Sequence, residues 1–117
     1  MQTQSHKDTW ETYTACWAES NQNARINMLQ NSLSPDCHYT DINTETKGIT
    51  NLAEYMTGFQ IKFPSAKFVT TDFKEHHNQS LAHWNMVDQD GKTIGQGASY
   101  AFYENGKLKM MTGFFEQ

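Results

Sequence analysis

Residues 81–115 read LAHWNMVDQDGKTIGQGASYAFYENGKLKMMTGFF, and this stretch decides the fold. Leu81–Val87 reads as a strand. Asp90-Gly91 marks a hairpin turn before Thr93–Tyr103, and Asn105-Gly106 marks a second before Leu108–Phe115. An Asn or Asp followed by Gly suits tight turns whose two central residues need positive φ. Lys67–Asn78, just upstream, alternates imperfectly. About four antiparallel strands are therefore expected in the second half of the chain. Gly95 and Gly97 would share one strand face, which predicts strong curvature or a bulge there.

The first half reads as helix. Ser5 with Asp8 three residues later resembles a capping box. Trp10, Tyr13, Thr14 and Trp17 follow at the spacing of one helical face, so a helix is expected from Ser5 to about Ser20. Asn21–Asn23 breaks it and can cap a second, shorter helix with Ile26, Leu29 and Leu33 inward. Ser34-Pro35-Asp36 stops that one, because proline disfavours helix in the residue before it. Cys37–Ile42 reads as a short strand with Cys37, Tyr39 and Asp41 on one face. Asn51 with Glu54 can cap a third helix whose inward face is Leu52, Tyr55, Met56, Phe59 and Phe63. Pro64 ends it. The expected order is α-α-β-α-β-β-β-β, an α+β domain with helices on one face of a curved antiparallel sheet.

The chain has 117 residues, enough for one domain with one core. Aromatic residues make up 13% of it and charged residues only 19%. So many rings argue against disorder. The formal charge is -4 and Arg25 is the only arginine, so no basic face for nucleic acid is available. No apolar run of about 18 residues predicts a membrane span. Residues 1–13 lack the apolar core of a secretory signal. Cys16 and Cys37 therefore read as reduced thiols of a cytoplasmic protein.

The order Tyr13–Trp17, Ser34-Pro35-Asp36, Tyr39-Thr40-Asp41, Phe63-Pro64, Gly97, Asn105-Gly106 and Gly113-Phe114-Phe115 spans nearly the whole chain. It resembles the SnoaL-like branch of the nuclear transport factor 2-like superfamily. The resemblance implies a cone-shaped, cystatin-like fold in which a curved sheet wraps the first helix. It implies a pocket between sheet and helices and commonly a homodimer through the outer face of the sheet. The fold hosts isomerases, cyclases, dehydratases, epoxide hydrolases and non-catalytic binders, so it does not choose among them.

Asp41 matches, by that resemblance, the general-base aspartate of the steroid isomerases, although Ile42 stands where they have proline. A carboxylate at an apolar pocket can take a proton from carbon next to a carbonyl. Asp41 could equally cap a loop. Tyr13 matches their oxyanion-hole phenol, and a phenol in a cavity can donate to a developing enolate. Tyr100 takes the position of their second, protonated acid. The further expected pocket residues are Trp17, Tyr39, Tyr55, Phe59, Phe63, His83, Asn85, Phe102 and Phe115. Which face of Leu81–Val87 meets the pocket is left open by the alternation. Trp84, Met86 and the Met110/Met111 region are candidates for the dimer surface. No metal-ligand spacing such as HxH or HExxH occurs, so neither metal nor other cofactor is expected. The Asp–Arg–Asp arrangement of the epoxide hydrolases lacks its cation, because Arg25 falls on the second helix. Three readings remain: proton transfer (isomerisation, cyclisation or dehydration) on a small hydrophobic carbonyl compound, ligand binding without catalysis, or a dimeric interaction module whose pocket is only residual.

Overall fold

Ser5 opens the first helix, α1 (His6–Cys16), by accepting the Asp8 amide at 3.1 Å. The computed structural model describes residues 5–116. Asn21 caps α2 (Gln22–Ser32) the same way, its Oδ1 accepting the Ala24 amide at 2.9 Å. Strand β1 (Leu33–Asp41) begins directly after α2, earlier than expected. Pro35 therefore lies inside β1, at the irregularity between Leu33 and His38 where the ladder is interrupted and no proline N–H is missed. A four-residue strand, β2 (Thr44–Lys47), hairpins back from it and was not expected. Helix α3 (Ile49–Lys62) starts at Gly48, whose φ of 85° only glycine adopts readily, rather than at Asn51. The Asn51 amide instead donates to the Lys47 carbonyl at 3.0 Å. Four strands complete the chain: β3 (Lys67–His76), β4 (Gln79–Val87), β5 (Thr93–Glu104) and β6 (Lys107–Phe115).

The six strands form one sheet in the order β2-β1-β6-β5-β4-β3. It is mixed rather than antiparallel, because β1 runs parallel to β6. That pairing brings the first strand of the chain next to the last. His77 and Asn78, with φ of 50° and 61°, turn β3 into β4. Asn105 and Gly106, with φ of 54° and 80°, turn β5 into β6 as the sequence indicates.

Cross-strand register assigns the faces. One set of rows is Trp84–Gly97–Phe115, Ala82–Ser99–Gly113 and Ser80–Ala101–Met111–Tyr39. These residues face α1 and α3, and all but Phe115 and Ser99 are buried. The alternate rows are Leu81–Tyr100–Thr112–Thr40, His83–Ala98–Phe114 and Gln79–Phe102–Met110–His38. They form the outer face. A register irregularity between Met86 and Val87, beside Gly95, marks the curvature expected there.

Candidate functional site

The site is built on α1 and closed by the sheet. Trp17 is its hub. Its indole packs edge-to-face on Tyr55, Phe59 and Phe68 at interplanar angles of 86°, 83° and 77° and lies 5.6 Å from the Tyr39 ring. Such tilted ring pairs are the favoured aromatic geometry. Trp84 closes the far wall, packing on Phe68 at 4.8 Å and Phe115 at 5.6 Å and donating its indole N–H to Ser99 Oγ at 3.0 Å. Between these walls lies a chamber of about 50 Å³. Nine of its thirteen lining residues are aromatic, and Asp41 is the only Asp, Glu, Lys, Arg or His among them. It adjoins a wider mouth of about 600 Å³ that shares Tyr55, Phe59, Trp84 and Phe115 with it, and that Phe63 and Met86 also line.

Asp41 ends β1, and its place there explains its partners. Oδ1 accepts the amides of Asn43 at 2.7 Å and Thr44 at 3.1 Å, which closes the turn into β2. Oδ2 accepts the Tyr39 hydroxyl at 2.7 Å, which alternation places on the same face two residues earlier. The Tyr55 hydroxyl, from α3, donates to Oδ2 at 3.0 Å and also lies 3.3 Å from Oδ1. Burial pushes the Tyr39 phenol well above its ordinary range, with Tyr13 and Asp41 adding to it. Burial and then the Asp41 charge push Tyr55 up to about 12. Both are therefore neutral donors to Asp41 at physiological pH. Tyr13 lines the chamber too but is not among the Asp41 donors; burial raises its phenol most, with the Trp17 indole acting in the opposite sense.

The structure thus brings together Asp41, Tyr13, Trp17, Tyr39, Tyr55, Phe59 and Phe115 in the chamber, with Phe63 at its mouth. It does not bring Tyr100, His83, Asn85 or Phe102 there. All four fall on outer-face rows, a correction forced by register. Tyr100 donates to Gln79 at 2.6 Å, and His83 Nδ1 lies 3.8 Å from Asp72. Conversely, Trp84, Met86 and Met111 face inward and cannot form an outer contact surface, while Met110 lies on the outer face. The physical reason is that Trp84 and Met86 of β4 turn toward the helices, where burial is available, while Leu81 stays exposed on the outer face. Chamber residues not anticipated are Trp10, Thr14, Phe68, Trp84, Ser99 and Gly113. Trp10 carried a usable signal, one turn before Tyr13 on the same helical face. The small residues Gly97, Ser99 and Ala101, spaced by two, also marked a strand face lying under bulky groups.

Three helices packed against one curved, mixed six-stranded sheet make this an α+β domain. More particularly, the fold is that of SnoaL-like and nuclear transport factor 2-like proteins. A solved structure from Agrobacterium tumefaciens, provisionally named an isomerase of the SnoaL-like family, superposes with a TM-score of 0.88. It is 22% identical, over 96% of this chain and 97% of that one. A nuclear transport factor 2-like protein of unknown function from Cytophaga hutchinsonii gives 0.73 at 16% identity, over 99% and 95%. A protein from a Jannaschia species, provisionally named a SnoaL-like polyketide cyclase, gives 0.73 at 13%, over 99% and 92%. No protein-family model and no curated protein matches the chain. Among the described residues, no helix is long and apolar enough to cross a membrane.

Proposed function

We propose that the protein is a binding domain for a small hydrophobic molecule, which enters through the mouth and directs its polar end toward Asp41. One observation carries this reading: a single carboxylate stands in a chamber otherwise walled by rings and small polar groups. Apolar walls with few convergent polar groups are what small-molecule sites present. Asp41→Leu should remove the acceptor of two phenols and two amides, lower stability by about 2 kcal/mol and abolish binding. Asp41→Asn should preserve the fold and much of the stability. Denaturant titration and ligand titration of both variants check this; a Leu variant that binds as wild type would refute the role of Asp41.

A second reading, proton transfer on a hydrophobic carbonyl compound, is favoured by one observation: Asp41 and Tyr13 line the same chamber. The provisional names of the Agrobacterium and Jannaschia structures point the same way. Against it, both Asp41 oxygens are already engaged by four donors, which restricts the approach of a carbon-bound proton to them. Tyr100, the expected second oxyanion donor, faces away. Exchange of α-protons of phenylacetone in D2O, followed by NMR, separates the readings. The binding reading expects no acceleration by wild type over Asp41→Asn, whereas acceleration of tenfold or more by wild type alone would establish the catalytic one.

A homodimer through the outer face belongs to the same proposal. Leu81, Phe102 and Phe114 are exposed on that face, Phe114 at 63%. Phe114→Asp should shift the protein to half its mass in light scattering, and a mass unchanged by it would remove this surface as the interface. A cytosolic setting is proposed with it, supported by Cys16 and Cys37 being buried free thiols that burial pushes up to about 12 and about 11.

A further inference from the structure

We propose that the ligand carries a compact organic cation, an alkylammonium end, and that the chamber selects for it against carbonyl and carboxylate ends. This rests on the pocket reading above and names its ligand class. The inference follows from what the chamber walls still have to offer once their internal bonds are made. The indole N–H of Trp10 is donated to Thr70 at 3.2 Å and that of Trp84 to Ser99 at 3.0 Å. The Thr14 hydroxyl is donated to the Glu11 carbonyl at 3.1 Å. The Tyr39 and Tyr55 hydroxyls both donate to Asp41. Most donors of the chamber are thus engaged inside the protein. What Tyr39 and Tyr55 present to a ligand is oxygen lone pairs, and what Asp41 presents is negative charge.

The rings act in the same direction. Aromatic faces carry negative quadrupolar potential, and a cation held within about 6 Å of a ring centroid is attracted to it, more strongly where water is excluded. Among the described residues, no lysine, arginine or histidine lines the chamber, so no cation of its walls answers the Asp41 charge. The one cation of the mouth, Lys62, sits over the Phe63 ring at 5.5 Å and shares that rim with Glu54 and Glu116. An approaching cation meets no net positive field there. Size narrows the class further. About 50 Å³ admits an ammonium with one or two carbons, while the wider mouth takes the hydrophobic remainder. A carbonyl or carboxylate end, by contrast, would bring lone pairs toward lone pairs and charge at Asp41, Tyr39 and Tyr55. Its side-chain donors would be only the Tyr13 and Ser99 hydroxyls and the Trp17 indole N–H, none of them bonded to Asp41.

The test uses the intact protein and three ligands of nearly equal shape: 2-phenylethylammonium, propylbenzene and phenylacetate. Affinities are read by NMR titration, following the indole N–H signals of Trp17 and Trp84 to locate binding. The cation should bind at least about tenfold more tightly than propylbenzene, with phenylacetate weakest. Asp41→Asn should erase the advantage of the cation over propylbenzene. Equal or tighter binding of propylbenzene or phenylacetate, with the same indole signals moving, overturns the ligand class and leaves the pocket reading standing. Failure of all three to move those signals overturns both.

Discussion

Replacing Arg25 by methionine should lower stability by about 3 kcal/mol, a large share of the 5–15 kcal/mol typical of a domain. Arg25 is 2% exposed. Its Nε donates to the Cys16 carbonyl at 3.1 Å and one terminal nitrogen donates to the Glu19 carbonyl. These carbonyls lie at and just beyond the end of α1, where helical partners run out and the helix dipole is negative. The other terminal nitrogen donates to Gln22 Oε1 at 2.5 Å and Thr57 Oγ1 at 2.9 Å. One guanidinium thus ties the end of α1 to α2 and α3. Methionine would fill the space but leave buried acceptors unpaired. Relief of the desolvated charge offsets part of that loss, which is why the figure is not larger. Lysine keeps the charge but cannot reproduce the planar fork, so Arg25→Lys should fall between wild type and Arg25→Met. Urea titration followed by tryptophan fluorescence measures both. A loss under about 0.5 kcal/mol for methionine would contradict this account.

Gly97→Ala should cost about 2–3 kcal/mol and reshape the chamber. The glycine is needed for space, since its φ is ordinary. A β-carbon there would lie 2.5 Å from Trp84 Cη2 and 2.6 Å from Cζ2, and would overlap the Phe114 carbonyl oxygen. That oxygen is backbone and cannot move without disturbing the β5–β6 ladder. The indole can move only by breaking its bond to Ser99 and its packing on Phe68 and Phe115. Gly95 supplies the control. A β-carbon there meets Met86 Cβ at 3.7 Å, an ordinary contact, so Gly95→Ala should cost under about 1 kcal/mol. Thermal melts of the two variants, with ligand affinity measured beside them, check the contrast. Equal losses at the two glycines would show that strand propensity rather than the Trp84 contact sets the requirement.

Much of the fold was legible because it is written in local signals. Ser5 and Asn21 cap the helices they were expected to cap, and Asn105-Gly106 makes the turn its residue types demand. The strand β2 was not legible. Thr44–Lys47 is short and polar, and it exists because Asp41 closes a turn that brings it against β1. The parallel pairing of β1 with β6 joins residues more than sixty positions apart, which no local pattern encodes. The chamber was legible on the helices and on β1, where one face of Tyr13 and Trp17 and the Tyr39/Asp41 alternation named side chains that line it. It failed on β4 and β5. Alternation separates His83 and Asn85 from Trp84 and Met86 without saying which pair faces the helices. The family correspondence that put Tyr100 in the pocket is off by a face.

The sequence by itself determined the elements, the α+β class and the inward aromatic stripe, because capping, turn chemistry and periodicity act over a few residues. Only the tertiary structure decided which face of each strand is concave, that Arg25 binds helix ends rather than ligand, and that Asp41 is held by two phenols. Those outcomes depend on sheet order, curvature and the burial that α1 and α3 provide, which arise from contacts far apart along the chain.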